Sequence, residues 1–230
     1  MANSNLIPVI DLFAGPGGLG EGFSAFEVNR KRAFRICLSI EKDESAHRTL
    51  ELRSFYRQFP PDAIPDEYYL HLQNRMKREE LFSRYRTESE AASKEAWKAE
   101  LGKVDEAEVN RRIREAVGDT DEWVLCGGPP CQAYSVMGRS RNGGIAADDH
   151  RVFLYKAYLG ILSAHRPPVF ILENVPGLLS SRVGNTVIFR QMLEDLRHPA
   201  AAIRSRKNGT RYRLYSLIKR PTGLDRKSVV

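Results

Sequence analysis

The sequence has little cysteine: three among 230 residues, Cys37, Cys126 and Cys131, with no C-x-x-C pair. That scarcity leaves a disulfide framework without support. The five histidines, at 47, 71, 150, 165 and 198, show no ligand spacing such as H-E-x-x-H, so no metal site is expected. No apolar run approaches the roughly 20 residues a spanning helix needs, and the N-terminus lacks the order of a signal peptide. The expected location is therefore the cytoplasm, with no membrane partner. Internal repeats and low-complexity stretches are also missing. What remains is a chain with 42% hydrophobic and 28% charged residues, long enough for one α/β domain and marginal for two. Its net charge of +7 is uneven: residues 197 to 230 hold ten Lys/Arg against a single acid, Asp225. A phosphate-binding surface and a solvated basic tail fit that excess equally well.

The order of elements follows from periodicity. "LIPVIDLF" (6 to 13) is a β-branched run ending at glycines, and Leu19, Phe23 and Phe26 then recur at helical spacing. "AFRICLSIE" (33 to 41) predicts a second buried strand, with Asp43 or Ser45 capping the next helix. From about 66 to 117 the chain turns rich in Glu, Lys, Arg and Ala and predicts a helical insertion. Asp105 is placed to cap its last helix, with Glu108 at the capping-box position and Gly118 just past the end. "EWVLC" (122 to 126) is a strand, and "HRVFLYKAYLGILSAHR" (150 to 166) is a helix stopped by Pro167 and Pro168. "VFILENV" (169 to 175) is a buried strand, a helix spans about 186 to 197, and "YRLYSLI" (212 to 218) is a last strand candidate. Strands alternating with helices predict a doubly wound, mostly parallel sheet.

In such sheets ligands bind outside the carboxyl ends of the strands. Three strand ends carry unusual residues. At the first, Gly15, Gly17 and Gly20 satisfy G-x-G-x-x-G, and Glu41, closing the second strand, is placed to accept from ribose hydroxyls. Together they point to an adenosine-type cofactor; helix–sheet packing of the glycines and a solvated Glu41 are the plainer alternatives. At the second end, Cys131 stands in "GGPPCQAYSVMGRSRNGG" (127 to 144), outside its strand, where core packing explains it poorly. Arg139 and Arg141 would favour its thiolate if the loop folds over it. Cys37 and Cys126, inside apolar strand patterns, read as small buried hydrophobes. At the third end, Glu173 follows four apolar residues, where partial desolvation would favour a protonated, donating carboxyl, and Asn174 stands beside it.

The set "DLFAGPGG", "GGPPCQAYS" and "ENVPGLL", in this order, resembles the DNA (cytosine-5) methyltransferases over approximately residues 7 to 218. The resemblance implies a Rossmann-like, S-adenosylmethionine-dependent methyltransferase fold. It implies that Phe13, Ala14, Gly15, Gly17, Gly18, Leu19 and Pro129 line the cofactor and that Glu41 holds its ribose. Cys131 would then add to C6 of a cytosine extruded from DNA, with Glu173 donating to N3 and Asn174 in support. Gln132, Ser135, Arg139 and Arg141 would contact the nucleic acid. A restriction–modification role follows from the same resemblance.

Two departures qualify it. The family's acidic residue near the adenine, in a "GDI"-like motif, has "GKV" as its nearest match, which puts Lys103 in that place and leaves the role unassigned. The family also continues into a Gln-x-Arg-x-Arg motif and a target-recognition domain, and this sequence ends at Val230 before them. The expectation is a C-terminally truncated catalytic region, or one part of a split enzyme completed by a second chain. A non-catalytic remnant that binds S-adenosylmethionine or a partner is the alternative. A nicotinamide-dependent oxidoreductase would use the glycine turn but leaves Pro-Cys-Gln and Glu-Asn-Val unexplained.

Overall fold

A computed structural model describes residues 6–128, 150–173, 182–183, 186–203 and 209–217. The chain divides into two compact units, residues 1–128 with 167–173, and residues 129–166 with 174–230.

The first unit contains the sheet. Strand β1 (Ile7–Leu12) leads into helix α1 (Gly18–Ala25). A two-residue-per-strand hairpin follows, β2 (Glu27–Val28) and β3 (Lys31–Arg32), closed by Asn29 and Arg30 at positive φ. That pair of left-handed residues matches the twist a tight hairpin requires. Next come β4 (Phe34–Glu41) and α2 (Glu44–Arg57), whose cap Asp43 accepts from the Ala46 N–H at 2.8 Å as expected. Helices α3 (Asp66–Leu72), α4 (Arg78–Arg84) and α5 (Arg86–Glu95) fill the predicted insertion. The helical expectation for 66 to 117 fails at Ala96–Lys98, which is strand β5, paired in parallel with Ser39–Glu41 of β4. Helix α6 (Glu106–Val117) then leads to β6 (Val124–Gly127), and β7 (Val169–Leu172) completes the sheet. Asp105 caps α6 through the Ala107 N–H at 3.0 Å, while Glu108 pairs with Arg111 and Arg112 instead of closing a capping box.

The five strands run in the order β5-β4-β1-β6-β7, all parallel. Successive crossovers β1–α1–β4 and β5–α6–β6 run in opposite directions across the sheet. With right-handed crossovers this puts α1 and α6 on opposite faces, which is the doubly wound arrangement. On the α1 face Val9, Ile36, Val124 and Cys126 form a buried cluster, against which Leu19 and Phe23 of α1 pack. The direction of winding reverses between β1 and β6, so the crevice at a switch point opens beside the carboxyl end of β1.

In the second unit, helix α7 (His150–His165) buries Leu154, Tyr158, Leu159 and Leu162. It stops where Arg166 turns left-handed, φ 50°, ahead of Pro167. A short antiparallel pair, β8 (Arg182–Val183) and β9 (Thr186–Val187), precedes α8 (Ile188–Arg197) and α9 (Pro199–Ala202). Of the last strand expected over 212 to 218, the described residues 212–217 have no regular structure. Among the described residues no helix is long and apolar enough to cross a membrane.

Candidate functional site

The loop after β1 is held in an uncommon backbone conformation. Phe13, Gly15 and Gly17 have φ of 57°, 56° and 92°, a region that costs a non-glycine such as Phe13 about 1 kcal/mol or more. Two backbone bonds pin the turn: Ala14 N–H to the Ile40 carbonyl at 3.0 Å, and Gly17 N–H to the Ala14 carbonyl at 2.9 Å. The glycines serve different ends. A Cβ added at Gly15 or Gly18 would meet nothing within 4 Å, so their backbone is open to a ligand, whereas one at Gly17 would sit 2.9 Å from Leu50 Cδ1 of α2. Leu19 packs its side chain towards the sheet.

Glu41 closes β4 beside this loop. Its Oε2 accepts from the Gly15 N–H at 2.7 Å, and its Oε1 accepts from the Lys42 and Asp43 N–H groups at 2.8 and 2.7 Å. These three bonds fix the carboxylate and leave acceptor capacity for a further donor. One strand over, Glu100 follows β5 closely, with the Ala99 N–H donating to the Glu41 carbonyl at 3.0 Å. Lys103 and Lys42 approach Glu100 at 3.0 and 3.4 Å, and hydrogen bonding from Lys103 holds that carboxyl below its usual range. The structure thus sets an acid, Glu100, on the rim where "GKV" suggested Lys103. Glu100 stands in "AEL" at 99 to 101, three residues before Lys103.

On the other side of β1, the strands match in register, Leu12 with Gly127 and Gly127 with Leu172. Gly127 has φ 138°, and a Cβ there would lie 1.9 Å from the Leu12 carbonyl oxygen. At Gly128 an added Cβ would lie 2.4 Å from the Glu173 carbonyl oxygen and 2.8 Å from its Oε2. No side chain larger than hydrogen fits either position. Glu173 extends the ladder through its N–H to the Gly127 carbonyl at 3.2 Å, and its carboxylate lies over Gly128. It is exposed, not half-buried as its apolar approach suggested.

Beneath the rim lies a feature that sequence reasoning passed over. Asp11, fully buried on the α1 face, stands in register between Ser39 of β4 and Cys126 of β6. Neither Asp11 oxygen nor the Ser39 hydroxyl has a hydrogen bond of sound geometry among the described residues. Burial pushes the Asp11 carboxyl up to about 6, and the nearby Cys126 thiol and Gly20 N–H pull it back only in part. Burial, with Asp11 adding to it, pushes the Cys126 thiol far above the ordinary range. Cys37 is raised for the same first reason. Cys126 is buried, as its strand position implied, whereas Cys37 is only half-buried.

Pro129, Cys131, Gln132, Ser135, Arg139, Arg141 and Asn174 lie outside the described residues. Among the described ones, no group of three or more His, Cys, Asp or Glu is arranged to hold a metal ion.

The fold and this rim define an open parallel α/β domain with a glycine loop at its switch point. The family follows from comparison: residues 76–198 match the model of the C-5 cytosine-specific DNA methylases, and the chain belongs to that family. It is similar to the type II methyltransferase M.Bpa9945I of Bacillus paralicheniformis, 31% identical over 204 residues, 81% of this chain and 44% of that protein. It is also similar to M.AgeI of Thalassovita gelatinovora, 31% identical over 175 residues, 76% of this chain and 29% of that protein. A shorter stretch of 89 residues is 39% identical to M.HpaII of Haemophilus parainfluenzae, covering 37% of this chain and 24% of that protein. The chain spans less than half the length of these relatives.

Proposed function

We propose that this chain carries the cofactor-binding and nucleophile-bearing part of a DNA cytosine-5 methyltransferase of the restriction–modification type, acting on DNA. One observation carries the reading: neighbouring strands β1, β6 and β7 end in register. They present the glycine loop, the strand end that precedes Pro129-Pro130-Cys131-Gln132, and the Glu173 carboxylate along one rim.

The loop fits S-adenosylmethionine. Gly15 and Gly18 leave open space above the backbone, and Glu41 retains an acceptor site for ribose hydroxyls beside its three N–H bonds. Glu100, one strand further out, is an acceptor of the kind the adenine amino group requires. When bound, the cofactor supplies an electrophilic methyl group on a sulfonium. Cytosine C5 is by itself a poor nucleophile. Cys131, as thiolate, adds to C6 of a flipped cytosine while Glu173 donates a proton to N3, and C5 becomes an enamine-type carbon able to attack. Asn174 supports that carboxyl. C5 takes the methyl group, the methyl–sulfur bond breaking to leave a thioether. Once the C5 proton is lost to a base, the C6–sulfur bond breaks, Cys131 leaves as thiolate, the N3 proton returns to Glu173 and the ring regains its aromaticity. Acid assistance of the Glu173 kind contributes about 10²–10⁴-fold.

Calorimetry of the 230-residue chain tests the cofactor. S-adenosylmethionine binding that weakens in Glu41→Ala is expected; affinity for NAD and none for S-adenosylmethionine would overturn the assignment. The nucleophile is tested with a pool of 5-fluorocytosine duplexes plus cofactor, where a covalent protein–DNA adduct is expected. An adduct that persists in Cys131→Ala would remove Cys131 from its role.

A further inference from the structure

We infer that Arg53 and Arg57 of α2 are positioning residues for the glycine loop, and that Glu95, at the end of α5, holds Arg57 in that task. The inference rests on the loop being the cofactor site. The N-cap of helix α1 is Gly17, which has no side chain, so the helix N-terminus carries no side-chain cap bond. Its entry angle is therefore set from outside, and α2 supplies what sets it. Leu50 packs beneath Gly17, Arg53 Nη1 donates to the Pro16 carbonyl at 2.9 Å, and Arg57 Nη1 donates to Glu21 in the first turn of α1. These contacts lie about one helical turn apart on α2 and meet the N-cap of α1, the loop just before it and its first turn.

Arg57 does not act alone. Its other terminal nitrogen donates to Glu95, and Gln58 Nε2 reaches the same carboxylate at 3.4 Å. Arg57 and Glu95 are 10% and 12% exposed, whereas Glu21 is 38% exposed. The buried end of this triad is thus fixed to the helices that lie between β4 and β5, and its half-exposed end touches α1. A guanidinium suits the task because its planar fork can grip two carboxylates at once, which an ammonium does less well. Arg57 also lies close enough to Asp11 to favour its charged form. The helices following β4 thereby become part of the cofactor site without touching it. Releasing the loop lowers the fraction of molecules in the competent conformation, and the apparent affinity falls by that fraction.

The test compares S-adenosylmethionine affinity and the ligand-free melting temperature in wild type, Arg53→Ala, Arg53→Lys and Glu95→Gln. Arg53 bonds an exposed carbonyl, so its removal leaves the fold intact. Affinity is expected to fall roughly three- to tenfold in Arg53→Ala, the range for one lost hydrogen bond, at an unchanged melting temperature, with part restored by Arg53→Lys. Glu95→Gln should weaken binding and also lower the melting temperature. Unaltered affinity in both Arg53→Ala and Glu95→Gln would overturn the inference, as would Arg53→Ala losing affinity only in step with its fold. Hydrogen exchange at the Gly15, Gly17 and Gly18 amides of the ligand-free chain tests the positioning independently of the ligand. Faster exchange in Arg53→Ala is expected, and an unchanged rate would sink the positioning role. A wild type that binds no S-adenosylmethionine yet shows the exchange effect would fail the cofactor assignment alone.

Discussion

The sheet and the helices between β4 and β5 belong to one compact unit, yet they are held together by different chemistry. The sheet buries Val9, Ile10, Leu12, Ile36, Leu38, Ile40, Val124 and Leu125, all of them aliphatic and most of them β-branched at stiff rotamers. The helices pack around rings instead: Phe55 stacks on Phe82 at 4.9 Å between centroids and meets Phe59 and Tyr85 edge-on. They are also laced with charge, Arg78 to Glu51, Arg57 to Glu95 and Arg84 to Glu67 among others, and Arg78 sits 4.3 Å above the Phe82 ring. The sheet interior has one acid, Asp11, with no cationic partner in contact. The contrast separates two tasks. A sheet that must deliver strand ends in register relies on backbone ladders and branched side chains that admit one alignment. Helices that must brace a loop from the side rely on long side chains that reach across gaps.

Substitutions from the severest to the mildest would break or sharpen that contrast. Gly127→Ala drives a methyl into the Leu12 carbonyl at a φ no alanine tolerates; a loss above about 4 kcal/mol is expected, seen as no cooperative transition in denaturant. In the helices, Phe55→Ala removes a fully buried ring and its three aromatic contacts. It should cost about 3–5 kcal/mol, read from the urea midpoint. Equal losses for Phe55→Ala and for Ile10→Val, which should cost only about 0.5–1.5 kcal/mol, would contradict the packing described.

The third prediction concerns Asp11, the buried acid of the sheet. The folded state raises the Asp11 carboxyl from 3.8 to about 6, so the folded protein holds more protons than the unfolded chain between those values. The sign follows: this contribution is fully present below about pH 4 and is lost as pH rises through 6, on the order of 2–3 kcal/mol across the window. Asp11→Asn should therefore stabilise the protein more at pH 7.5 than at pH 4.5. Melting curves at the two values check it, and an equal effect at both would refute the raised, buried carboxyl. At the mild end, Arg86→Ala breaks an exposed pair with Glu90 one turn away on α5, Arg86 being 85% exposed. It should leave the denaturation midpoint unchanged within error.

Much of this design is legible in the residues, and the parts that are not share a cause. β1, β4, β6 and β7 announce themselves because each is a run of apolar residues long enough to be buried on both faces. β5 has only Ala96, Trp97 and Lys98, set among strong helix formers, and becomes a strand through pairing with β4. Tertiary context overrides local preference there. Glu100 was missed as a direct result, since an unrecognised strand has no recognised end. Residues 212–217 show the opposite error: alternating Tyr, Leu and polar residues mimic a strand, but Tyr215 and Leu217 are 59% and 84% exposed and the segment has no ladder partner among the described residues. The glycine loop and Glu41 were legible because their motif has a backbone mechanism. The requirement for glycine at 127 and 128 was not, because it comes from neighbouring strands far away in sequence.

The chain's two tryptophans fall on opposite sides of the switch point. Trp97 lies in β5, level with Ile40 of β4, beneath the Arg112 guanidinium at 4.2 Å, while Trp123 is buried immediately before β6. Their intrinsic ultraviolet emission is thus a pair of native optical gauges. One, sensitive to quenching by the overlying cation, reports on the seating of α6; the other, shielded from solvent, reports on the lead-in to the strand that precedes the thiol.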